Sequence, residues 1–487
     1  MDELPLQDAL PLPDIQAVIL HTYWPCALRT FVLQVQNPQA ARRFLGSLVN
    51  GDASTPQLAT ADQSEQKHAY RLNVGITHAG LKALDLPKAS LDSFPAEFVE
   101  GALARAAVIG DTEESAPEHW QPPFAGPDVH ILVFLFITDR KNTKQTIDTI
   151  AAELRQRFND SGACRELAVC EADSLSLDKA HFGYKDGFAQ PTIEGGPKAP
   201  PPPWPGPGRA PDIKDILPKV APDEFLLGYG KPRIGPVPPP DELYKNGSYA
   251  AFRILEQDCH GFETFLEKQA LAQQDKHPER DKEWIAAKLC GRWRSGAPLT
   301  LFPDADDPRQ HEVESIDLYN SFDYVKTKDF RPGEDYDDKF GNVCPIGSHI
   351  RRMNPRHAKV AGDSGLTHRI VRRGLPYGPA YDKDNPDDGI ARGLMGLFIG
   401  ASLLDQFEFL MKHWANDGGF AGVGKTRDPV LGANNPEDSK FVIQVAGGNP
   451  VVLKGFSRFV KTRGSAYCFL PSITALKYLA GLPPPPA

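Results

Sequence analysis

Two proline-dense segments constrain this chain more than any other feature, because they divide its 487 residues into two halves. The segment EGGPKAPPPPWPGPGRAP occupies residues 194–211, and IGPVPPP occupies residues 234–240. Proline has a fixed φ and no backbone donor, so neither segment can lie inside a helix or a sheet. We therefore predict a long extended connection, laid partly over the surface, with Trp204 exposed in it. The predicted domains are residues 1–215 and residues 216–487.

The first half has an ordered series of strand and helix patterns. Strands are predicted at residues 27–36, 70–76, 129–138 and 165–172. Helices are predicted from Pro38, which suits the first helical turn, and over residues 143–158, whose apolar residues fall on one face. Strand–helix–strand followed by strand–helix–strand is the order of a ferredoxin-like domain, an antiparallel sheet with helices on one side.

The second half repeats this order around a large insertion. Strands are predicted at residues 246–255, 393–402, 455–460 and 465–470, with helices from about Gly261 and over LLDQFEFLMKHW. The letters themselves show no repeat. The predicted fold class is therefore α+β, with two ferredoxin-like domains that each have an antiparallel sheet and peripheral helices.

Composition excludes several classes of protein. A net charge of −9 disfavours a nucleic-acid partner, and the longest apolar run, residues 129–137, is too short to span a bilayer. The N-terminus is acidic and proline-rich, unlike a secretory or twin-arginine signal. The seven cysteines are scattered without a CxxC pair, which indicates reduced thiols and neither a disulfide framework nor a zinc site. We expect a cytoplasmic protein with no membrane segment.

The stretch HFGYKDGFAQP, residues 181–191, places Asp186 between two glycines and several aromatic residues. A surface turn does not need the aromatic residues, and a core strand disfavours the charge. A carboxylate that caps a turn or helix is the structural interpretation. The functional interpretation is a carboxylate held in a site.

A second stretch, CPIGSHIRRMNPR, covers residues 344–356. His349 can be read as a polar loop residue, but Arg351 and Arg352 nearby suit the carboxylates of a haem, which arginine binds in a forked geometry. Cys344 is the competing thiolate ligand. Because the glycine-rich loop of the cysteine-ligated monooxygenases is missing, we interpret Cys344 as a structural residue.

A third stretch, HRIVRRGLPYGP, covers residues 368–379. Runs of arginine are usually solvated. Here Arg372 follows an Ile-Val pair and precedes a Gly-Leu-Pro-Tyr-Gly turn, a setting that fixes the backbone and can aim one guanidinium inward.

These three stretches, in this order, resemble the motifs of the dye-decolorizing peroxidases, haem enzymes built from two ferredoxin-like domains. HFGYKDGFAQP resembles their glycine–aromatic–x–Asp–Gly motif, CPIGSHIRRMNPR their proximal-histidine segment and HRIVRRGLPYGP their distal-arginine segment. The resemblance covers roughly residues 12–480. The long insertions are similar to those of the larger bacterial and fungal-like branches of the family.

The resemblance implies a role for each motif. Haem b would be held in the C-terminal half, with His349 as the iron ligand and Asp186, from the segment between the domains, as the distal acid–base. Arg372 would stabilise negative charge on the leaving oxygen, with Arg369 and Arg373 as rivals for that role. Arg351 or Arg352 would meet a haem propionate.

Two positions depart from the family pattern or extend it. The family typically has an acidic residue after the strand that matches GLMGLFIGAS, and it bonds the ligand histidine. Here that place resembles Ser402, with Asp405 three positions later, so the partner of His349 is open. Tyr377 matches a position that relays electrons from large substrates in some relatives, and a packed turn tyrosine is the alternative.

The sequence thus predicts a haem-dependent peroxidase that reduces hydrogen peroxide and oxidises dyes, phenols or other aromatic electron donors, as a monomer or homodimer. A haem carrier or sensor is the alternative. Such a protein would keep His349 but would have no use for both Asp186 and Arg372, so their joint presence favours the enzyme. A ferredoxin-like interaction protein without a cofactor would leave the histidine and arginine stretches unexplained.

Overall fold

The computed structural model describes most of the chain. The residues that it leaves out are 1–8, 22, 51–54, 64–67, 176–178, 188, 198–218, 231–233, 276, 308–318, 321, 327–336, 361–362, 365–366, 387, 425 and 482–487. Trp204, most of the first proline-dense segment and the predicted boundary between residues 215 and 216 therefore lie outside the described residues. In the described part of the chain, no helix has the length and apolar character that a membrane crossing needs.

Eight strands form one large antiparallel sheet in the order β4-β1-β3-β2-β12-β5-β9-β8. In each half of the sheet, the strands stand in the order fourth, first, third, second, which is the ferredoxin-like arrangement. The halves meet where β2 and β12 pair at Ile76 and Phe469. The strands are β1 Ala27–Val35, β2 Tyr70–Ile76, β3 Ile131–Ile137, β4 Cys164–Asp173, β5 Ser248–Gln257, β8 Val371–Tyr377, β9 Gly393–Gly400 and β12 Val460–Leu470. Two small ribbons consist of β6 Lys359–Val360 with β7 Asp363–Ser364 and of β10 Lys440–Ile443 with β11 Val451–Lys454.

Helices cover the sheet and connect its strands. The α-helices are α1 Ala17–Leu20, α2 Pro38–Asn50, α3 His78–Ala83, α4 Lys88–Leu91, α5 Ala96–Arg105, α6 Thr143–Asp160, α7 Asp241–Tyr244, α8 Cys259–Leu271, α9 Lys282–Cys290, α10 His349–Met353 and α11 Ile473–Gly481. Two π-helical segments follow β9, at Leu403–Glu408 and Leu410–Ala415. Short 3-10 turns lie at Leu12–Asp14, Ala61–Gln63, Ala106–Ile109, Glu113–Ser115, Pro117–His119, Pro222–Glu224 and Phe420–Gly422.

Local sequence explains the clearest elements. The run ILVFLFI of β3 is rich in branched and aromatic residues, and all seven of its residues are buried. Pro38 opens α2, and the Asn37 side chain caps it by accepting a hydrogen bond from the Ala40 amide at 2.9 Å. All seven cysteines are buried free thiols.

Three sequence predictions about elements were wrong in detail. The strand predicted at residues 455–460 is a loop up to residue 459, and the strand predicted at residues 465–470 is part of the longer β12, Val460–Leu470, which has an irregular register between Thr462 and Gly464. The predicted turn after Arg372 is the edge strand β8, where Pro376 is tolerated because an edge strand leaves some donors unpaired. The helix predicted from LLDQFEFLMKHW has the wider π-helical turn, which is frequent at functional sites.

Candidate active site

A cavity of about 420 Å³ opens on one face of the C-terminal half of the sheet. Strand residues paired directly across an antiparallel ladder point to the same face. Arg253 pairs with Gly396, which pairs with Gly374, and Arg372 pairs with Phe398. The residues of this face that line the cavity are Arg253, Leu255, Arg372, Gly374, Pro376, Leu394, Gly396 and Phe398. We call them the cavity face.

The paired glycines Gly374 and Gly396 make the middle of the cavity face flat. A Cβ on Gly374 would lie 2.5 Å from the Met395 carbonyl oxygen, so this position excludes a side chain. A Cβ on Gly396 would be at ordinary contact distance, 3.4 Å from the Arg373 carbonyl oxygen. Leu255 and Leu394 pair beside them and add apolar surface. The cavity face is therefore shaped for a flat, largely apolar molecule.

His349 lies on the cavity wall at the first position of α10. Its Nδ1 lies 2.9 Å from Oδ2 of Asp428, a carboxylate with no exposed surface. Oδ1 of Asp428 accepts hydrogen bonds from the amides of Val430 at 2.9 Å and Leu431 at 2.8 Å. The carboxylate is thus fixed from both sides. It holds the His349 ring in one orientation, with Nδ1 as the donor and Nε2 left to act as a ligand.

The electrostatics of this pair follow from burial and charge. Burial lowers the pKa of His349, but the attraction of the Asp428 carboxylate and its hydrogen bond outweigh burial, so the pKa is raised. Burial raises the pKa of Asp428, but His349, the backbone donors and Arg352 outweigh it, so the pKa is lowered. Asp428 therefore stays ionised beside the ring and increases the basicity of the imidazole.

Asp428 is the residue that the sequence did not reveal as the histidine's partner. Ser402, the matching place by resemblance, accepts a hydrogen bond from the Asp405 amide at 3.0 Å and lies 3.1 Å from its carboxylate. The sequence left the partner of His349 open, and in the structure it is Asp428. Asp428 lies 79 residues after His349 in a loop without periodic pattern, and no local signal marks it.

Asp186 and Arg372 lie side by side on another part of the wall. The nearest approach of the Arg372 guanidinium to Asp186 Oδ1 is 3.9 Å, too long for a hydrogen bond. The Gly187 amide donates to the same carboxylate oxygen at 2.7 Å. The Asp186 side chain is 60% exposed and the Arg372 side chain is 39% exposed, so both can bond a molecule in the cavity.

The glycines around Asp186 have a steric reason. Gly183 and Gly187 both have positive φ, +84° and +95°. A Cβ on Gly183 would lie 2.6 Å from the guanidinium of Arg294, whose NH1 donates to the Phe182 carbonyl at 2.7 Å. A Cβ on Gly187 would lie 3.3 Å from the Trp24 ring. The loop can present Asp186 only because both positions lack a side chain.

Two predicted cofactor ligands lie elsewhere. Arg351 is buried against Asp338, with NH1 2.9 Å from its carboxylate. Arg352 donates to the carbonyl oxygens of Trp414 and Thr426. In a helix as short as α10, His349 and Met353 share the face that lines the cavity, so Arg351 and Arg352 turn away from it. The structure does not support their assignment to a propionate.

Other arginines do reach the wall, namely Arg253, Arg292, Arg356, Arg369, Arg372 and Arg373. Arg373 differs from the other arginines of the wall. It alternates with Arg372 along β8, so its side chain points away from the cavity face, to the opposite face of the strand. There its Nε donates to the Val18 carbonyl at 3.1 Å. Burial lowers its pKa to about 10. Arg369 reaches toward the Ala189 carbonyl at 3.4 Å.

Tyr377 and Cys344 are both buried. Tyr377 is 8% exposed, and its hydroxyl has no hydrogen-bond partner among the described residues. Burial raises the pKa of this phenol. This burial agrees with the alternative of a packed tyrosine, although Tyr377 ends a strand and does not lie in a turn. Cys344 is fully buried, its sulfur lies 3.2 Å from Ser348 Oγ, and burial raises the pKa of the thiol.

The residues around the cavity fit a haem. A flat glycine pair with apolar neighbours matches the face of a macrocycle, and one histidine with a buried carboxylate behind it matches an iron ligand. Arginines at the wall match the carboxylates of such a cofactor.

Comparison with known proteins agrees with this geometry. A family model described as the DyP dimeric alpha+beta barrel domain matches residues 14–165. The chain is 29% identical to a dye-decolorizing peroxidase of Mycetinis scorodonius, over 96% of this chain and 87% of the relative. It is also 29% identical to the multifunctional dye peroxidase of an Amycolatopsis strain, over 97% of this chain and 96% of the relative.

Solved structures that resemble this chain are also dye-decolorizing peroxidases. A dye-decolorizing peroxidase variant in complex with cyanide superposes with a TM-score of 0.76 at 25% identity, covering 97% of this chain and all of the other. The crystal structure of a decolorizing peroxidase from Auricularia auricula-judae gives a TM-score of 0.75 at 26% identity, with coverage of 97% and 100%. The two halves of the sheet, the motifs and these relatives agree, and together they support the dye-decolorizing peroxidase family, whose members are haem-dependent peroxidases.

Proposed function

We propose that the protein binds haem b, reduces hydrogen peroxide and oxidises dyes, phenols or other aromatic electron donors. The observation that carries this proposal is the placement of Asp186 and Arg372, 3.9 Å apart, on the wall of the cavity that also presents His349. The names of the relatives support dyes as donors. A cytoplasmic monomer or homodimer belongs to the same proposal and rests on the sequence alone.

His349 would hold the cofactor through Nε2, with Asp428 accepting the Nδ1 proton. When bound, haem supplies the redox chemistry, because its iron and macrocycle can take up the oxidising equivalents of peroxide and pass them on to a donor. Leu255, Leu394 and Phe398, around the glycine pair, would exclude water from the face of the cofactor.

Asp186 would act as the acid–base for peroxide. Its carboxylate accepts the proton from the first peroxide oxygen and returns it to the second, which leaves as water. The Gly187 amide orients the carboxylate for this transfer. Arg372 stabilises negative charge that develops on the leaving oxygen, as a fixed cation does in other sites of this kind.

A simple experiment tests the proposal. The purified protein supplied with haem should show a Soret band that changes when one equivalent of peroxide is added. The rate of that change is then measured against pH in wild type and in Asp186→Asn, which keeps the shape but cannot take up the proton. Because a carboxylic acid gives up its proton more readily than a histidine, wild type should still react at acidic pH.

We expect Asp186→Asn to lose about 10²–10⁴ in this rate, the usual contribution of a positioned acid–base. Glu171→Gln, which removes an exposed carboxylate that pairs with Arg29, is the matched control and should react like wild type. An Asp186→Asn protein as fast as wild type through the acid range would exclude Asp186 as the base. A protein without a Soret band would contradict the whole proposal.

A further inference from the structure

One side chain joins the two distal motifs directly. Gln190, four residues after Asp186, lines the cavity and contacts the backbone of Arg372 twice. Its Nε2 donates to the Arg372 carbonyl oxygen at 3.1 Å, and the Arg372 amide donates to its Oε1 at 3.2 Å. We call this pair of hydrogen bonds the Gln190 clamp.

The position of Arg372 explains why a clamp is needed. Its strand, β8, is the last of the sheet, and in the described part of the chain no strand forms ladder hydrogen bonds with its outer side, although β4 lies nearby. The primary amide of Gln190 offers one donor and one acceptor side by side, as a neighbouring strand would. The segment that has Asp186 thus takes the place of a ninth strand at a single residue.

Two residues between Asp186 and Gln190 have a positive φ. Gly187 has a φ of +95° and Ala189 a φ of +59°, a left-handed conformation that is unfavourable for alanine. At the other end, the Lys185 amide donates to the Arg294 carbonyl oxygen at 3.0 Å. The segment around Asp186 is therefore held by a hydrogen bond to Arg294 before Asp186 and by the Gln190 clamp after it.

We propose that Gln190 is a positioning residue of the peroxidase reaction, because its amide fixes Arg372 relative to Asp186. This inference rests on the proposed function of those two residues. The separation of 3.9 Å leaves both groups able to bond the same small molecule, and a shift of about 1 Å in such a pair can cost on the order of 10²-fold in rate. Gln190 itself touches no reacting atom.

The chain contains a matched control for this clamp. Gln16 bonds Val74 of β2 in the same way, with Nε2 3.0 Å from the Val74 carbonyl oxygen and the Val74 amide 2.8 Å from Oε1. Neither residue lines the cavity. Gln16→Met therefore removes the same pair of hydrogen bonds outside the cavity, together with a third bond from Nε2 to the Pro471 carbonyl oxygen at 2.8 Å.

The first measurement uses the haem-free protein, so it does not depend on the proposed function. Hydrogen exchange of the Arg372 amide is compared in wild type, Gln190→Met and Gln16→Met. Methionine has a similar length but forms neither bond. We expect Gln190→Met to speed exchange at Arg372 by about tenfold, the effect of one lost hydrogen bond, and Gln16→Met to leave it unchanged.

The second measurement uses the haem-loaded protein. Gln190→Met should slow the reaction with peroxide by about tenfold or more and weaken cyanide binding, read from the Soret shift, while Gln16→Met changes neither. In an Asp186→Asn background, Gln190→Met should add less than about twofold, because residues that act through one another are not additive. Gln190→Glu, which keeps the acceptor but loses the donor, should fall between wild type and Gln190→Met.

Several outcomes would overturn the inference. They are unchanged exchange at Arg372, a wild-type peroxide rate in Gln190→Met, an equal loss in Gln16→Met, or full additivity with Asp186→Asn. If wild type itself fails to react with peroxide, the proposed function fails, while the exchange experiment still decides whether Gln190 holds Arg372. If Gln190→Met does not fold, Gln190→Glu provides the same comparisons.

Discussion

The two halves of the sheet have the same strand order, but the cavity lies mainly against the C-terminal half. Their third strands show the difference best. In β3, ILVFLFI, every residue is buried. In β9, GLMGLFIG, buried residues alternate with half-buried ones, and Gly396 stands at the middle of the half-buried face. One strand is packed on both faces, while the other presents one face to the site.

The comparison shows that the two halves share one strand topology and that the size of their side chains determines which half borders the cavity. On the face of the sheet that continues the cavity face, Val133 and Leu135 fill the middle of β3, whereas the glycine pair Gly374 and Gly396 occupies the middle of the corresponding C-terminal strands. The arginine and histidine residues of the site then surround space that the other half fills with its core. Substitutions that reverse this difference should have the largest effects.

The largest effect is expected at Gly396. Gly396→Phe places a ring on the flat part of the cavity face and should prevent haem uptake, read as loss of the Soret band, while Gly396→Ala should bind haem because its Cβ has room. The reverse change on the same face of the first half, Leu135→Ala, should lower the free energy of unfolding by about 2–5 kcal/mol and leave haem binding intact. Normal haem uptake by Gly396→Phe would show that the cofactor does not contact this face.

The next effect compares a strand arginine from each half. Arg372→Leu should slow the reaction with peroxide by about 10²–10³, the usual loss for one charge-stabilising donor. Arg29→Leu in β1 removes surface ion pairs with Asp148 and Glu171, each worth about 1 kcal/mol or less, and should leave the rate unchanged. A slow Arg369→Leu beside a fast Arg372→Leu would assign the role to Arg369.

A smaller effect compares two histidine–aspartate pairs. Asp428→Asn should weaken haem binding or slow the peroxide reaction by about 10–100-fold, because His349 loses its basic partner. His357 makes a similar pair with the buried Asp323 but does not line the cavity. Asp323→Asn is therefore the control, measured by haem titration and by the peroxide rate. Equal losses in the two variants would indicate a general defect in folding.

The smallest effect is expected at Tyr377, the last residue of β8. Tyr377→Phe removes a buried hydroxyl that has no hydrogen bond among the described residues, so the free energy of unfolding should be unchanged or higher. Its peroxide rate and its turnover of small phenols should match wild type. A selective loss with bulky anthraquinone dyes, measured in parallel, would instead identify Tyr377 as an electron relay despite its burial.

Sequence predicted the parts of the molecule that depend on local pattern. The strands of the first half and the helices α2 and α6 follow from apolar periodicity, and the three motifs stand where their residues meet around the cavity. The second part of the edge strand β8 was predicted to be a turn because Arg373 interrupts the apolar alternation of VRRGLPY and a proline stands in its interior. An edge strand tolerates the proline and the interrupted pattern, but the edge position of β8 is a property of the whole sheet and cannot be read from local sequence.

The errors at the site have a similar cause. Which side of the one-turn helix α10 faces the cavity depends on packing, so Arg351 and Arg352 could not be separated from His349 by sequence. Asp428 lies in a loop 79 residues after His349, and only the folded chain places the two residues next to each other. The buried side of Tyr377 follows from its alternation with Val371 and Leu375, a pattern that becomes visible once β8 is known to be a strand.

The contact between α11 and α2 sets an order for the assembly of the protein. Helix α11, at residues Ile473–Gly481, packs on α2 of the first half, where a Cβ on Gly46 would lie 2.8 Å from that of Ala480. Leu476 and Leu479 complete the core that β1, β3 and α2 begin. On the ribosome, the apolar surface of the first half can therefore be covered only after residues 473–481 have been synthesised. Nascent chains that stop before residue 473 should expose that surface to chaperones and proteases.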